Sequence, residues 1–261
     1  MAIPDVLALD FDGVLCDGMP EYFETSRRTY AKIWTGEPAP SDALLPEFRR
    51  LRPVIMTGWE MPLLLRAIAK ARPEPAIVRD WPAVRDDLVK AERLRDDGGF
   101  EALAHTLDDV RRDWIAADRP GWLAQNVPYC SLDELRRLVV EPERAVLVTT
   151  KEGEFARLIL EAWDVQLAEI QGKEAGTHKC DNLRAQIAAY QTAHGRRPRL
   201  WFIEDRLETL LHVTTHPDLE DVGLFLAAWG YNTPDTRAST RGTRVRLLEL
   251  DHFKRGLEAW T

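Results

Sequence analysis

The apolar positions fall into two patterns that divide the chain. Short unbroken apolar runs occur at Val6–Leu9, Ala145–Val148, Leu200–Ile203 and Val222–Ala228, with weaker ones at Val165–Ile170 and Val245–Leu248. Runs of this length, bulky and bounded by polar or turn residues, predict strands buried on both faces of a parallel sheet. Between the later runs, amphipathic segments over Glu152–Trp163, Cys180–His194 and Leu207–Thr215 predict helices, so strand and helix alternate as in βαβ units. The middle third lacks such runs. It reads as helices over Glu21–Ile33, Ser41–Leu51, Met61–Ala71, Trp81 to Leu123 with a break at Asp97-Gly98-Gly99, and Leu132–Val139. The reading is an α/β, Rossmann-like, doubly wound parallel sheet built from 1–17 and 140–261, with an α-helical domain, 18–139, inserted after the first strand.

Composition narrows the partners. The chain has 261 residues, 45% apolar and 30% charged, enough for a substantial core. A net charge of −8 argues against a nucleic-acid partner, and no run is long and apolar enough for a membrane span. No secretory pattern opens the chain, and Cys16, Cys130 and Cys180 show no paired spacing, so a cytoplasmic protein with reduced thiols is expected. His212 and His216 stand at helical spacing, but Pro217 ends that segment and no cysteine or acid lies at a metal-binding spacing along the chain, so both are expected on the surface.

The chemistry gathers where strands end. Val6–Leu9 leads into Asp10-Phe11-Asp12-Gly13, and alternation turns Asp10 and Asp12 to one side. In open parallel sheets ligands bind beyond the carboxyl ends of strands. Adjacent carboxylates there call for a hard divalent cation or a shared proton. Thr149 and Thr150 end the second long run, Lys179 follows a glycine-containing loop that also holds Lys173, and Glu204-Asp205 end the third. A hydroxyl, an ammonium and two acid pairs at strand ends suit a phosphoryl group.

This order resembles the haloacid dehalogenase superfamily over the first eighteen residues and about 145 to 250. Asp10-Phe11-Asp12-Gly13-Val14 and Val148-Thr149-Thr150-Lys151 are similar to the first two motifs of its small phosphatases, such as phosphoglycolate phosphatase. Lys179 best matches the third motif, with Lys173 as a competitor, and Glu204-Asp205 the fourth. Thr209 stands where a later acid is usual, so the metal's outer contacts could come from Glu204 or Glu208.

The resemblance implies a phosphomonoesterase for a small phosphorylated metabolite, monomeric or homodimeric. Asp10 would be the nucleophile and Asp12 the general acid and base. Thr149, with Thr150 beside it, and Lys179 would hold phosphate. Mg²⁺ would sit among Asp10, Asp12 through its backbone carbonyl, Asp205 and Glu204. Asp12 favours phosphorus over carbon–halogen chemistry, and the helical insertion matches the superfamily's cap in position. Met56–Glu60 and arginines such as Arg27 or Arg49 are its candidate pocket contacts. The alternative is a non-hydrolytic phosphate- or metal-binding protein whose cap engages a protein partner.

Overall fold

The computed structural model describes residues 3–92, 94, 99–176 and 178–260. It divides into two compact units, 1–17 with 127–261, and 18–126. The chain returns at Asn126/Val127, not at the expected 139/140. The reason is helix Leu132–Val140, which packs against the second long strand and against a helix near the C-terminus and so belongs with the sheet.

The sheet unit contains β1 (Val6–Leu9), β2 (Cys16–Asp17), β3 (Val127–Pro128), β4 (Arg144–Val148), β5 (Glu169–Gln171), β6 (Leu200–Glu204), β7 (Gly223–Ala227) and β8 (Val245–Leu248). Six of these form one sheet of order β5-β4-β1-β6-β7-β8, and its pairings are parallel. β1 lies between β4 and β6 and is fully buried at every residue, as its unbroken apolar run requires. The edge strands β5 and β8 carry Glu169, Gln171 and Arg246, which suits strands with one open side. β5 is also shorter than expected, because Asp164 takes a positive φ of 52° and the segment after it joins the sheet only at Glu169.

From β1 the chain builds outward through β4 and β5, then crosses back to β6 and continues through β7 and β8. That reversal beside β1 is the topological switch point at which such sheets open a crevice. In register, Leu9 is level with Leu147 on one side and Ile203 on the other, so Asp10 emerges beside Glu204. β2 and β3 form a small antiparallel pair where the chain leaves and re-enters this unit. The sequence showed no strand pair here, since a two-residue ladder has no periodicity to read.

The helices of the inserted unit are α1 (Met19–Ile33), α2 (Leu45–Leu51), α3 (Met61–Ala69), α4 (Glu74–Arg79), α5 (Trp81–Ala91) and α6 (Gly99–Leu123). Of the expected break at Asp97-Gly98-Gly99, the first two residues lie outside the described ones, and Gly99 opens α6. Asp118 interrupts α6 with non-helical φ/ψ, and its Oδ1 accepts from Gly121 N at 2.9 Å, so it starts a fresh turn. Trp81, Trp114 and Trp122 are buried here as core. Arg27 is occupied with Glu24 and Asp42. The sheet unit carries α7 (Leu132–Val140), α8 (Gly153–Ala162), α9 (Lys179–His194), α10 (Leu207–Thr214), α11 (Pro234–Ala238) and α12 (Leu250–Arg255).

Candidate active site

Carboxylate oxygens of Asp10, Glu204 and Asp205 lie within 4.8 Å of one another at the ends of β1 and β6, and all three residues are buried. Lys179, at the start of α9, donates through Nζ to Asp10 Oδ1 at 2.8 Å and to Val148 O, and stands 3.4 Å from Glu204 Oε2. The remaining oxygen of Glu204 accepts from the backbone N–H groups of Asp205 and Arg206, at 3.2 and 3.3 Å, where the chain turns into α10. Glu204 therefore fixes the turn with one oxygen and the lysine with the other.

The competing candidates lie elsewhere. Lys173 pairs with Glu152 at 3.2 Å, and Glu208 is 66% exposed beside Arg206. Thr149 is buried at the end of β4, and its Oγ1 accepts from Lys151 N at 3.2 Å, so the hydroxyl keeps its own proton to donate. Thr150 is exposed.

The Asp12 carboxylate stands outside the Asp10–Glu204–Asp205 group and faces Lys151 Nζ at 3.4 and 3.5 Å, so of Asp12 it is the backbone carbonyl that the resemblance assigns to a metal. The turn after β1 explains the separation. Phe11 O accepts from Leu15 N and Cys16 N, at 2.9 and 3.0 Å, which curls the chain and breaks the strand alternation that would have kept Asp12 beside Asp10. Lys151, 6% exposed, is a second cation at the site and is buried, whereas Lys179 is half-buried. It closes the segment Val148-Thr149-Thr150-Lys151 after β4, where local spacing carries no signal of its partner Asp12.

Asp205 is clamped from β7. Its Oδ2 accepts from Tyr231 N at 2.7 Å, and Asn232 Nδ2 donates to its carbonyl at 2.9 Å. Trp229 Nε1 donates to Val14 O at 3.1 Å, and Tyr231 OH to Asp17 Oδ1 at 3.2 Å, so one turn ties the loops after β1 and β6 together. The approach is close enough to need glycine. A Cβ at Gly230 would stand 2.3 Å from Asp205 Cβ, and one at Gly13, where φ is +85°, would stand 2.2 Å from Asp205 Oδ2. Gly13→Ala should therefore cost about 2 kcal/mol or more, since a left-handed residue acquires a side chain and Asp205 must move. Denaturant unfolding checks this, and an unchanged midpoint would refute the close-approach account.

Electrostatics favours a cation. Burial, then the neighbouring Glu204 carboxylate, push Asp10 up to about 7. Burial likewise pushes Glu204 up to about 7, with Lys179 opposing and Asp205 adding to the rise. Burial works against the charge on Lys179, yet Asp10 and Glu204 together hold it above its ordinary value. A bound cation would offset the burial and carboxylate crowding that raise Asp10 and Glu204. The donors are all oxygen, which suits a hard cation.

Comparison with solved structures agrees with this topology. A predicted phosphoglycolate phosphatase of Haemophilus somnus superposes with a TM-score of 0.61 at 11% identity, over 98% of this chain and 98% of that one. A haloacid dehalogenase-like hydrolase of Streptococcus pneumoniae gives 0.57 at 13%, over 94% of each. The fold is that of the haloacid dehalogenase-like hydrolases. Protein Tyrosine Kinase A of Mycobacterium tuberculosis is also similar, with a TM-score of 0.56 at 20% identity over 95% of this chain and 94% of that one. At these identities the likeness is one of fold. No protein-family model and no curated protein sequence matches the chain. Within the haloacid dehalogenase-like fold of this chain, the buried acids and Lys151 stand at the carboxyl ends of β1, β4 and β6, and the half-buried Lys179 at the start of α9.

Proposed function

We propose that the protein is a Mg²⁺-dependent phosphomonoesterase acting on a small phosphorylated metabolite. The observation that carries this reading is the 2.8 Å contact between Lys179 and Asp10 inside a buried group that also holds Glu204 and Asp205. A single attacking carboxylate, a paired ammonium and further acids match the demands of phosphoryl transfer, in which charge must be gathered and neutralised around one phosphorus.

In this mechanism an Asp10 oxygen attacks phosphorus, and the P–O bond to the leaving group breaks. Asp12 delivers a proton to the departing alkoxide. Asp12, now a carboxylate, takes a proton from water, whose oxygen attacks the phosphoaspartyl group, releasing phosphate and restoring Asp10. Lys179 and Thr149 donate to the phosphoryl oxygens as their charge grows. Lys151 holds the Asp12 carboxylate in place between the two half-reactions. Bound Mg²⁺, held by Asp10, Asp205 and the Asp12 carbonyl with Glu204 nearby, would supply positive charge that screens carboxylate from phosphate.

The test is phosphate release from a panel of phosphorylated sugars, nucleotides and short organic acids, with Mg²⁺ and then with excess chelator. Turnover of at least one ester, lost on chelation and regained with Mg²⁺, is expected. Metal binding without turnover on the whole panel would replace this reading with a non-hydrolytic phosphate- or metal-binding protein, for which Thr209 in place of a later acid is the supporting feature.

A further inference from the structure

Among the described residues, a second group of metal-ligating side chains stands apart from the carboxylates. Sγ of Cys180 and a ring nitrogen from each of His212 and His216 lie within 4.8 Å of one another. Cys180 is in the first turn of α9, His212 is in the last turn of α10, and His216 follows the end of that helix. The two histidines were expected to be surface residues without a partner. What the chain order hid is a cysteine from another helix.

We propose that Cys180, His212 and His216 form a binding site for a zinc-class transition-metal ion. The two rings meet edge to face, with an interplanar angle of 87°, and their Nε2 atoms are 3.5 Å apart. A tetrahedral zinc ion, bonded at about 2.0–2.1 Å to nitrogen and 2.3 Å to sulfur, sets its ligand atoms roughly 3.5 Å apart, so the histidine pair already has that spacing. One thiolate and two imidazoles are a borderline-soft set that favours zinc, cobalt or copper over magnesium. Cys180 is 4% exposed and packed in the cluster of Leu183, Leu210 and Leu219, which anchors the sulfur, while His212 is exposed and leaves a side open for water. Three protein ligands and one open position describe the site.

A neighbouring group supplies the outer contacts. Arg184 Nη2 lies 3.0 Å from His216 Nδ1, and the same guanidinium holds Asp218 at 2.6 and 3.1 Å and Asp181 at 2.8 Å. A guanidinium only donates, so in this arrangement Nδ1 accepts and the ring proton is on Nε2, between the histidines. A metal on Nε2 of His216 would leave that ring's proton on Nδ1, facing a guanidinium that can only donate, so loading would require the planar Arg184 group to turn as a whole, which its partly exposed side chain permits. Asp218 then becomes the acceptor that orients His216, the usual arrangement behind a metal-bound imidazole.

The experiment uses full-length reduced protein, stripped with chelator and returned to excess Mg²⁺ so that the carboxylate site is occupied, and then titrated with Co²⁺. A near-ultraviolet thiolate-to-cobalt charge-transfer band saturating at one equivalent, and bleached by Zn²⁺, is expected. Cys180→Ala should abolish the band, and His212→Gln, a change at an exposed position, should weaken Co²⁺ binding at least about tenfold. Absence of the band in the unaltered protein, its survival in Cys180→Ala, or unchanged affinity in His212→Gln would each overturn the proposal.

Discussion

Asp10→Asn should lose phosphate release by a factor on the order of 10⁴ or more while the protein stays folded, because the variant keeps the side chain's shape and loses only its nucleophilic oxygen. Folding should survive for an electrostatic reason. Asp10 is buried beside Glu204, whose charge, after burial itself, raises the Asp10 carboxyl, so a neutral amide relieves repulsion. Lys179 keeps Val148 O and Glu204 as partners. The thermal midpoint is expected to hold or rise.

Asp12→Asn separates the roles. Loss of a general acid and base costs roughly 10²–10⁴-fold. The loss should be smaller for an aryl phosphate than for an alkyl phosphate, since a phenolate leaves without a proton. Phosphate release assays on both ester types, with circular dichroism as the folding control, read these outcomes. More than about 1% residual activity in Asp10→Asn would remove the covalent mechanism.

Arg111→Met should destabilise the inserted helical unit by about 3–5 kcal/mol, the cost of leaving a buried carboxylate without its counter-charge. Glu21 is fully buried in α1, and Arg111 in α6 donates to it at 2.6 Å through Nε and 3.2 Å through Nη2. Trp122 Nε1 and Thr25 Oγ1 also donate to it, at 3.1 and 2.8 Å. These neutral donors would remain, but they do not replace a charge. Glu21 and Trp122 lie near the two chain ends of the unit, so the network closes the insertion where it begins and ends. Adding Glu21→Gln to Arg111→Met should recover part of the loss, because the orphaned charge is gone. Denaturant unfolding of the single and double variants measures this, and a cost below about 1 kcal/mol for Arg111→Met would mean that the pair is not what closes the unit.

The central strands were legible because β1, β4, β6 and β7 are buried on both faces and therefore read as unbroken apolar runs. The short elements were not. Helices α4, α11 and α12 span only a turn or two, too little for a 3.6-residue period to declare itself. The boundary of the insertion was misplaced for a related reason, since α7 looks like any amphipathic helix and only its packing assigns it to the sheet.

By itself, the sequence determined that acids would stand at the ends of buried parallel strands, because strand length, burial and the polar residue that follows are local properties of the chain. Tertiary structure alone decided which groups meet. It selected Lys179 over Lys173, turned Asp12 toward Lys151, bound Asp205 to the turn after β7, and brought Cys180 to His212 and His216. Each of these depends on distances between side chains on separate elements. Strand register and helix placement set those distances, and neither is written in local spacing.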